Sequence, residues 1–373
     1  MFENFKVPKE LIPSDPRFGV GPSLVPVAAL EKLAQTGHKL LGNSHRKNAV
    51  KNLVKEVQEG IKTYFNLPAG YEVVLGNGGA TLLWDMIGLG MVEKSSLHYV
   101  TGEFSDKWFR SHKLIPWIQA KEVKVEFGQG VNPREEAGHD FICCTLNETS
   151  TGVMVSNIPK MKDSNVLLGV DATSGAGQIK VDFNNVDVYY FSPQKVFASE
   201  GGLYVAILSP KAIERTLKIA ADKTRYVPEF LKWSLAIENS RANQTYNTPA
   251  ISTLFFMNEQ IKLMNQLGEG KVLEEAQRKA RLMYNWAESK PYLKPYIQDA
   301  QFRSQSVATI DVDDKFNTED LSKVLRAQNV AYDIDSYRKL GRNQFRVSLF
   351  HNVSYDNLEK LTKIISLAIE SEK

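Results

Sequence analysis

Residues 187–208 read DVYYFSPQKVFASEGGLYVAIL, in which two apolar runs flank a single lysine. The first run, VYYF, is β-branched and aromatic, which predicts a buried strand. The proline of the following SPQK lacks a backbone N–H, so the strand should end there and present Lys195 at its carboxyl end. The glycine pair at 201–202 predicts a turn, and LYVAIL predicts a returning strand.

Lys195 therefore has an unusual predicted environment. An ammonium group between two buried strands is poorly solvated, so its pKa should fall and its neutral amine can attack a carbonyl. A Schiff-base lysine requires this position. Most lysines, however, are solvated surface charges, and this stretch alone leaves both interpretations open.

The composition indicates a globular chain of two domains. Its 373 residues exceed what one core usually fills, and 43% of them are hydrophobic. The net charge is +3, without a block of like charges, so we expect small anionic ligands and neither nucleic acid nor membrane as a partner. The start, MFENFKVPKELIP, does not resemble a signal peptide, and a cytoplasmic location is expected.

The two cysteines are adjacent, at Cys143 and Cys144, inside an apolar run at residues 141–146. Neighbouring residues of a strand point to opposite faces of the sheet. A disulfide between them, or a metal site using both thiolates, is therefore not expected, and a reducing compartment fits this pattern.

Short apolar segments alternate with helical segments along residues 71–221. This alternation predicts an α/β fold with a mainly parallel sheet and helices on both faces. Ligands of such folds bind at the carboxyl ends of the strands. The strands are predicted at residues 71–75, 97–101, 123–127, 141–146, 166–170 and 188–191. Residues at or just beyond their carboxyl ends include Thr81, Phe104, Thr149, Asp171 and Lys195, which suggests a single crevice.

The segment GNGGAT at residues 76–81 follows a predicted strand and opens a helix. Glycines let backbone N–H groups approach a phosphate, and a helix start adds a partial positive charge. The segment lacks the third glycine of the dinucleotide fingerprint and the lysine of a P-loop. It predicts a phosphate cradle, although the signal is weak by itself.

Three further groups of charged residues are candidates for binding. Burying the carboxylate of Asp171, at the carboxyl end of a buried strand, costs free energy unless a cation pairs with it. His45 and Arg46 precede a helix predicted at 49–65, where an anion would be attracted. Near the C-terminus, arginines suited to carboxylate or phosphate recognition are Arg338, Arg342 and Arg346. Each group can also be an ordinary surface or loop feature.

A domain boundary is predicted at residues 268–270, where GEG follows a long helix at 251–267. Beyond it, strands near 306–312 and 345–349 alternate with helices near 318–328 and 355–371, which indicates a small α+β domain. The segment 330–333 can be a strand or a loop. The predicted organisation is an N-terminal arm at 1–20, a large domain at 21–267 and a small domain at 268–373.

Several motifs together resemble one known family. They are SHR at 44–46, GGAT at 78–81, NET at 147–149, DATS at 171–174, SPQK at 192–195 and NTP at 247–249. In this order and spacing they are similar to phosphoserine aminotransferases, class V enzymes of fold-type I that use pyridoxal 5'-phosphate (PLP). The likeness runs nearly end to end, and SYRKLGRNQFRV at 336–347 resembles the actinobacterial branch.

The resemblance implies how the cofactor is held. Lys195 would form the internal aldimine with PLP and later move a proton, and Asp171 would pair with the pyridine nitrogen. Thr149 would bond the phenolic oxygen. Phe104 matches the family's stacking aromatic, usually a tryptophan, and Trp108 is the alternative. The cofactor phosphate would be held by Gly79, Ala80, Thr81 and Gln194, with Asn247 and Thr248 of the partner subunit, which implies a homodimer with shared active sites.

The resemblance also implies the substrates. His45 and Arg46 would bind the substrate phosphate, and Arg346 the α-carboxylate. The family's second phosphate pair is histidine and arginine, whereas this chain has Tyr337 and Arg338, with Arg342 as a competing donor. The implied reaction transfers the amino group of L-glutamate to 3-phosphohydroxypyruvate, giving O-phospho-L-serine and 2-oxoglutarate. Whether the chain also accepts a second keto acid, that of pyridoxine biosynthesis, stays open.

Three other functions compete with this interpretation. Alanine-glyoxylate or serine aminotransferases of class V share the lysine and the aspartate. Their substrates carry no phosphate, so they do not need a phosphate-binding pair such as His45 and Arg46. A cysteine desulfurase needs a reactive cysteine on a mobile loop, unlike Cys143 and Cys144. A catalytically silent PLP-binding regulator would be expected to carry a DNA-binding segment, which the sequence does not suggest.

Overall fold

The computed structural model describes residues 1–372. Its helices are α1 (Val27–Thr36), α2 (Asn48–Tyr64), α3 (Ala80–Gly90), α4 (Glu103–Lys113), α5 (Pro210–Ala220), α6 (Trp233–Arg241), α7 (Ile251–Leu267), α8 (Glu269–Glu288), α9 (Thr318–Ala327) and α10 (Tyr355–Glu370). Its strands are β1 (Glu72–Asn77), β2 (Ser95–Val100), β3 (Gln119–Lys124), β4 (Phe141–Thr145), β5 (Asn147–Glu148), β6 (Val153–Met154), β7 (Leu167–Asp171), β8 (Val188–Phe191), β9 (Leu203–Leu208), β10 (Leu293–Pro295), β11 (Val307–Val312) and β12 (Gln344–Ser348).

A seven-stranded sheet forms the centre of the fold, in the order β1-β9-β8-β7-β4-β2-β3. The pairs from β8 to β3 are parallel. Only β9 runs against its neighbours β8 and β1, as expected for the strand that returns after Lys195. The predicted α/β fold with a mainly parallel sheet is confirmed.

Both faces of this sheet are covered by helices, which is why its strands read as continuous apolar runs. Tyr189 of β8 packs in one core with Val57 of α2 and Met257 of α7. The next residue, Tyr190, packs on the opposite face with Ile87 of α3 and Trp108 of α4. The alternation of side chains along a strand thus divides the large sheet between two cores.

The cysteines follow the same rule. Cys143 packs in the core with Trp108, and Cys144 packs in the core on the other face. Both are free. Burial raises the pKa of the Cys143 thiol well above its usual value and that of Cys144 to about 12. Neither thiol is therefore a ready nucleophile.

The C-terminal residues form a second, antiparallel sheet in the order β10-β11-β12. Residues of α8, α9 and α10 pack on it in a core of their own, which also takes Phe2 and Phe18 from the N-terminal segment. The predicted boundary at 268–270 coincides with the start of α8, where Gly268 has φ of 81°. The domain limits themselves stay a prediction.

Some predicted elements are displaced or missing. The strand expected at 123–127 lies at Gln119–Lys124. This edge strand reads QAKEVK, is mostly polar and has no buried residue, so it carries no apolar run. The segment 223–246, for which no helix was predicted, contains α6, whose Trp233 indole donates to the Met86 carbonyl. Residues 330–333 form no strand, only an isolated bridge from Tyr332 to Arg17.

No helix within residues 1–372 has the length and apolarity to span a membrane.

Candidate active site

A cavity of about 300 Å³ lies at the carboxyl ends of β4, β7 and β8. It brings together nine residues that the sequence analysis singled out. These are Gly79, Ala80, Thr81, Phe104, Thr149, Asp171, Gln194, Lys195 and Arg346. The other predicted site residues, which do not line it, are His45, Arg46, Asn247, Thr248, Arg338 and Arg342.

Lys195 lies in the turn after β8, and its side chain is 7% exposed. Its Nζ donates a hydrogen bond to Thr149 Oγ1 over 2.9 Å. Burial lowers the pKa of Lys195 to about 8, although the nearby charge of Asp171 opposes the shift. The backbone of Gly21 crosses so close to the lysine that a Cβ there would lie 2.6 Å from its Cε. The amine is thus enclosed, as the sequence pattern predicted.

Asp171 is the last residue of β7, and three donors surround its carboxylate. Oδ1 accepts from the backbone N–H of Thr173 (3.0 Å) and from its hydroxyl (2.6 Å). Oδ2 accepts from the indole N–H of Trp84 over 3.2 Å. Hydrogen bonds to the charged form offset the cost of burying it. The sequence analysis did not identify Trp84.

The NET and DATS motifs meet at Ser174. The Oγ of Ser174 accepts from the Thr149 hydroxyl and from the Asn147 side-chain amide, both over 2.8 Å, and donates to the Asn147 carbonyl. A relay of hydrogen bonds therefore runs from Lys195 through Thr149 to Ser174. It fixes the orientation of Thr149 beside the amine.

Glu148 is buried completely and holds the start of α4. Its carboxylate accepts the backbone N–H groups of Phe104 (3.2 Å) and Ser105 (2.9 Å) and the hydroxyls of Ser105 and Ser150. A carboxylate at a helix N-terminus is favourable because it meets free N–H groups and the positive end of the dipole. Glu148 thereby positions Phe104.

Phe104 is the aromatic residue that α4 presents to the cavity. Its ring centroid lies 5.5 Å from Lys195 Nζ. Trp108, the alternative, is one turn further along α4 and lies in the core, 1% exposed, away from the cavity. Of the two candidates on α4, Phe104 and not Trp108 therefore lines the cavity.

The predicted phosphate cradle forms the start of α3. Gly79 is the N-cap residue and provides no side chain to satisfy the helix N–H groups. The N–H of Ala80 donates to Ser192 Oγ over 3.2 Å. Nearby, Gln194 Oε1 is buried without a hydrogen-bond partner within residues 1–372. A helix start with free donors fits a phosphate group.

Arg346 on β12 brings a cation from the small domain into the cavity. Its Nη1 donates to the Thr149 carbonyl over 3.1 Å, whereas its buried Nε has no partner in the described chain. Burial lowers the pKa of Arg346 to about 10. Since no carboxylate of residues 1–372 forms an ion pair with it, this guanidinium is suited to an anionic ligand.

The two arginines that compete for the substrate phosphate, Arg338 and Arg342, have different surroundings. Arg342 forms a two-point ion pair with Asp311, at 3.1 and 2.6 Å, and stacks 4.3 Å from the Tyr296 ring. It lines a different surface pocket. Arg338 is exposed and forms no ion pair with residues 1–372, and its neighbour Tyr337 lines the cavity. As a donor to the cavity, Arg342 is disfavoured by this geometry.

His45 and Thr248 belong to a second cluster, outside the cavity. His45 Nδ1 lies 3.0 Å from Thr248 Oγ1, and the Asn77 side chain donates to the Thr248 carbonyl. Thr248 was expected to act on the partner subunit. A direct contact between them means that His45 and Thr248 share one surface of the subunit.

The sequence analysis missed Trp84 and Glu148. Trp84 follows Thr81 by three residues on α3, a spacing that places both on one side of the helix. Glu148 lies inside a motif that had already been noted. No local signal, however, reveals that the Trp84 indole reaches Asp171, because that contact depends on how α3 packs on the sheet.

Comparison with known proteins identifies the class first. Residues 136–336 match the family model of class-V aminotransferases, so the chain is a PLP-dependent transaminase. The chain is 45% identical to a phosphoserine aminotransferase of Corynebacterium glutamicum, over 98% of this chain and 97% of that one. It is 44% identical to that of Nocardioides sp., over 99% and 100%. It belongs to the phosphoserine aminotransferase family.

A solved structure agrees with this assignment. The crystal structure of a phosphoserine aminotransferase from Cytophaga hutchinsonii has a TM-score of 0.86 and 26% identity, covering 95% of this chain and 98% of that one. The family, the fold-type I architecture and the transaminase class predicted from the motifs are confirmed. The reaction of this family is the glutamate-dependent one that the motifs implied.

Proposed function

We propose that the cavity binds PLP and performs the transfer of an amino group from L-glutamate to 3-phosphohydroxypyruvate with the residues described above. The observation that carries this proposal is that a buried lysine and a buried carboxylate line one cavity beside a helix start that has no side-chain cap on its N-cap residue. When bound, PLP supplies an electron sink for negative charge at the substrate α-carbon.

Lys195 would hold the cofactor covalently and would carry the proton of the reaction. A pKa of about 8 leaves about a tenth of the amine neutral at pH 7, far more than in an ordinary lysine, so Nζ could remove the α-proton and return it later. Thr149 Oγ1 accepts a hydrogen bond from Nζ and so holds the amine in place. Asp171 would keep a proton on the ring nitrogen, and Trp84 and Thr173 orient the two carboxylate oxygens of Asp171.

The cofactor contacts follow from the cavity walls. Phe104 would pack against the cofactor ring. The helix start at Gly79, Ala80 and Thr81 would hold the phosphate together with Gln194. Asn247 and Thr248 of the partner subunit would complete that phosphate site, so the proposed working unit is a homodimer. A cytoplasmic location stays a prediction.

Two cationic groups bind the substrate. Arg346 binds the α-carboxylate, because it is a half-buried cation whose buried Nε has no partner and which forms no ion pair within residues 1–372. His45 and Arg46 of the partner subunit bind the phosphate, together with Arg338 from the subunit that holds the cofactor. His45 contacts Thr248, which supports the view that both residues act across the same dimer interface.

The test removes Arg46. We expect Arg46→Ala to raise the KM for 3-phosphohydroxypyruvate by about tenfold or more and that for glutamate much less, since a charge-assisted bond to phosphate contributes on the order of 1.5–3 kcal/mol. The adjacent exposed Lys47 provides the control, because Lys47→Ala removes a charge from the same loop. Equal losses for both substrates would contradict the phosphate role. Measuring the pyridoxine-pathway keto acid alongside decides whether it is a second substrate.

A further inference from the structure

A short segment of the small domain, residues 336–343, lines the cavity with Tyr337 and exposes Arg338 and Lys339 to solvent. At its start, Asp335 forms a β-bridge with Phe345, and near its end Arg342 pairs with Asp311. Both anchors belong to the small domain. The segment includes a single 3-10 turn, Arg338–Leu340, and the turn is followed by Gly341 at φ of 60°.

Two side chains of this segment reach α4 of the large domain. Tyr337 lies with its ring centroid 5.9 Å from that of Phe104, and Lys339 Nζ donates to Glu103 Oε1. Glu103 and Phe104 are the first two residues of α4. The segment therefore rests on the same helix start that presents a ring to the cofactor site.

Glu103 is suited to hold a cation in place. It is 8% exposed, and its carboxylate also lies 3.5 Å from Lys107 Nζ and 3.9 Å from Arg110 Nη2. Burial raises the pKa of Glu103, but Lys339 and Lys107 outweigh that effect and lower it. Lys107 and Arg110 belong to α4 itself. Of the three cations, Lys339 alone connects α4 to the small domain.

We propose that the Lys339–Glu103 ion pair closes segment 336–343 over the active site and so positions Arg338 for the substrate phosphate. Lys339 and Glu103 are positioning residues, since neither lines the cavity. Arg338 lies between Tyr337 and Lys339, the two residues that contact α4. Its exposed guanidinium has no ion-pair partner within residues 1–372, so the backbone on either side sets its direction. This proposal rests on the phosphate role given to Arg338 above.

The test compares two lysines that face the same carboxylate. Lys339→Ala breaks the contact between the domains, whereas Lys107→Ala removes an equal charge beside Glu103 but leaves that contact intact. In the holoenzyme, we expect Lys339→Ala to increase hydrogen exchange of the backbone amides of residues 336–343. We also expect it to raise the KM for 3-phosphohydroxypyruvate about three- to fivefold, as suits a partly exposed ion pair, with kcat little changed. Lys107→Ala should do neither.

Two further variants separate positioning from general damage. Lys339→Arg keeps the charge and should retain the exchange protection and the KM of the unmodified enzyme. Lys339→Glu places a second carboxylate against Glu103 and should increase the exchange and the KM at least as much as Lys339→Ala does. Equal exchange and equal KM in the Lys339→Ala and Lys107→Ala enzymes would overturn the proposal, as would a Lys339→Arg enzyme that behaves like Lys339→Ala.

Arg338→Ala distinguishes this proposal from the one on which it rests. An unchanged KM for 3-phosphohydroxypyruvate in that variant would refute the phosphate role of Arg338. It would also refute the claim that the Lys339–Glu103 ion pair positions Arg338 for the phosphate. The exchange measurement would still decide whether Lys339 holds the segment. A raised KM in Arg338→Ala, with an unaltered segment in Lys339→Ala, would refute the ion pair alone.

Discussion

Lys195 shows how one residue acquires its reactivity from its surroundings. Desolvation lowers the pKa of its amine, the charge of Arg346 lowers it further, and Asp171 and Glu148 act in the opposite direction. The net result, a pKa of about 8, reflects burial more than any single neighbour. The hydrogen bond to Thr149 then fixes where the amine points.

This pKa predicts how fast the apoenzyme captures PLP at different pH values. The neutral amine is the nucleophile, so capture accelerates as the pH rises through the pKa and levels off above it. With a pKa of about 8, the rate constant should rise about fiftyfold from pH 6 to pH 8 and only about twofold from pH 8 to pH 10. Stopped-flow absorbance measures it.

The control for capture is Lys195→Ala, which should yield no covalent adduct by mass spectrometry after borohydride reduction. An ordinary lysine would behave differently, because its capture rate would still rise about tenfold per pH unit between pH 8 and pH 10. That result would show that the buried environment of Lys195 does not depress its pKa in solution.

Helix α4 depends on a contact outside itself for the capping of its first turn. Its first turn has no side-chain cap of its own except Ser105, and the buried Glu148 supplies acceptors for its free N–H groups. The fit is tight, since a Cβ at Gly102 would lie 2.3 Å from Glu148. Phe104, at the start of this helix, therefore depends on a strand residue far away in sequence.

Replacing Glu148 tests this dependence. Glu148→Gln keeps the shape but exchanges an acceptor oxygen for an amide donor facing N–H groups, so we expect a loss of about 1–3 kcal/mol in the free energy of unfolding. Urea denaturation of the holoenzyme measures it. Glu122→Gln on the exposed edge strand β3 is the control and should change stability by less than about 0.5 kcal/mol. Similar values for both variants would contradict the capping role.

The sequence predicted the central elements better than the edge ones. Strands β7, β8 and β9 are buried on both faces, so their apolar runs are continuous and their positions were found within a residue or two. The edge strand β3 is half polar and was misplaced. Helix α6 was missed because its stability comes from Trp233 packing against α3 and the main sheet core.

At the scale of the whole molecule, the active site is assembled from distant parts of the chain. Lys195 and Asp171 come from the large sheet, Arg346 comes from the small domain, and Gly21 crosses the lysine from the N-terminal segment. His45 and Thr248 lie together elsewhere. Under the proposed function, a second subunit would bring that surface to the cavity.

Mixed dimers test the sharing of sites. At 3-phosphohydroxypyruvate concentrations well below KM, Lys195→Ala homodimers should be inactive and Arg46→Ala homodimers should retain about a tenth or less of full activity. Co-expressed in equal amounts, they should recover about a quarter of full activity, because half of the dimers contain one intact site when Arg46 acts across the interface. The control pairs Lys195→Ala with Asp171→Ala, which belong to one site and should not complement. No recovery in the first pair would place Arg46 in its own subunit's site.

The sequence by itself determined the strand pattern, the lysine after β8, the aspartate at the end of β7 and the family, because these depend on local periodicity and on motifs of adjacent residues. The choice of Phe104 over Trp108, the contact of Trp84 with Asp171 and the engagement of Arg342 by Asp311 were decided only by the tertiary structure. Each of these contacts depends on the angle at which two elements pack, since that angle sets which atoms the end of a side chain can reach. Such distances arise between residues far apart in the chain, and no local pattern encodes them.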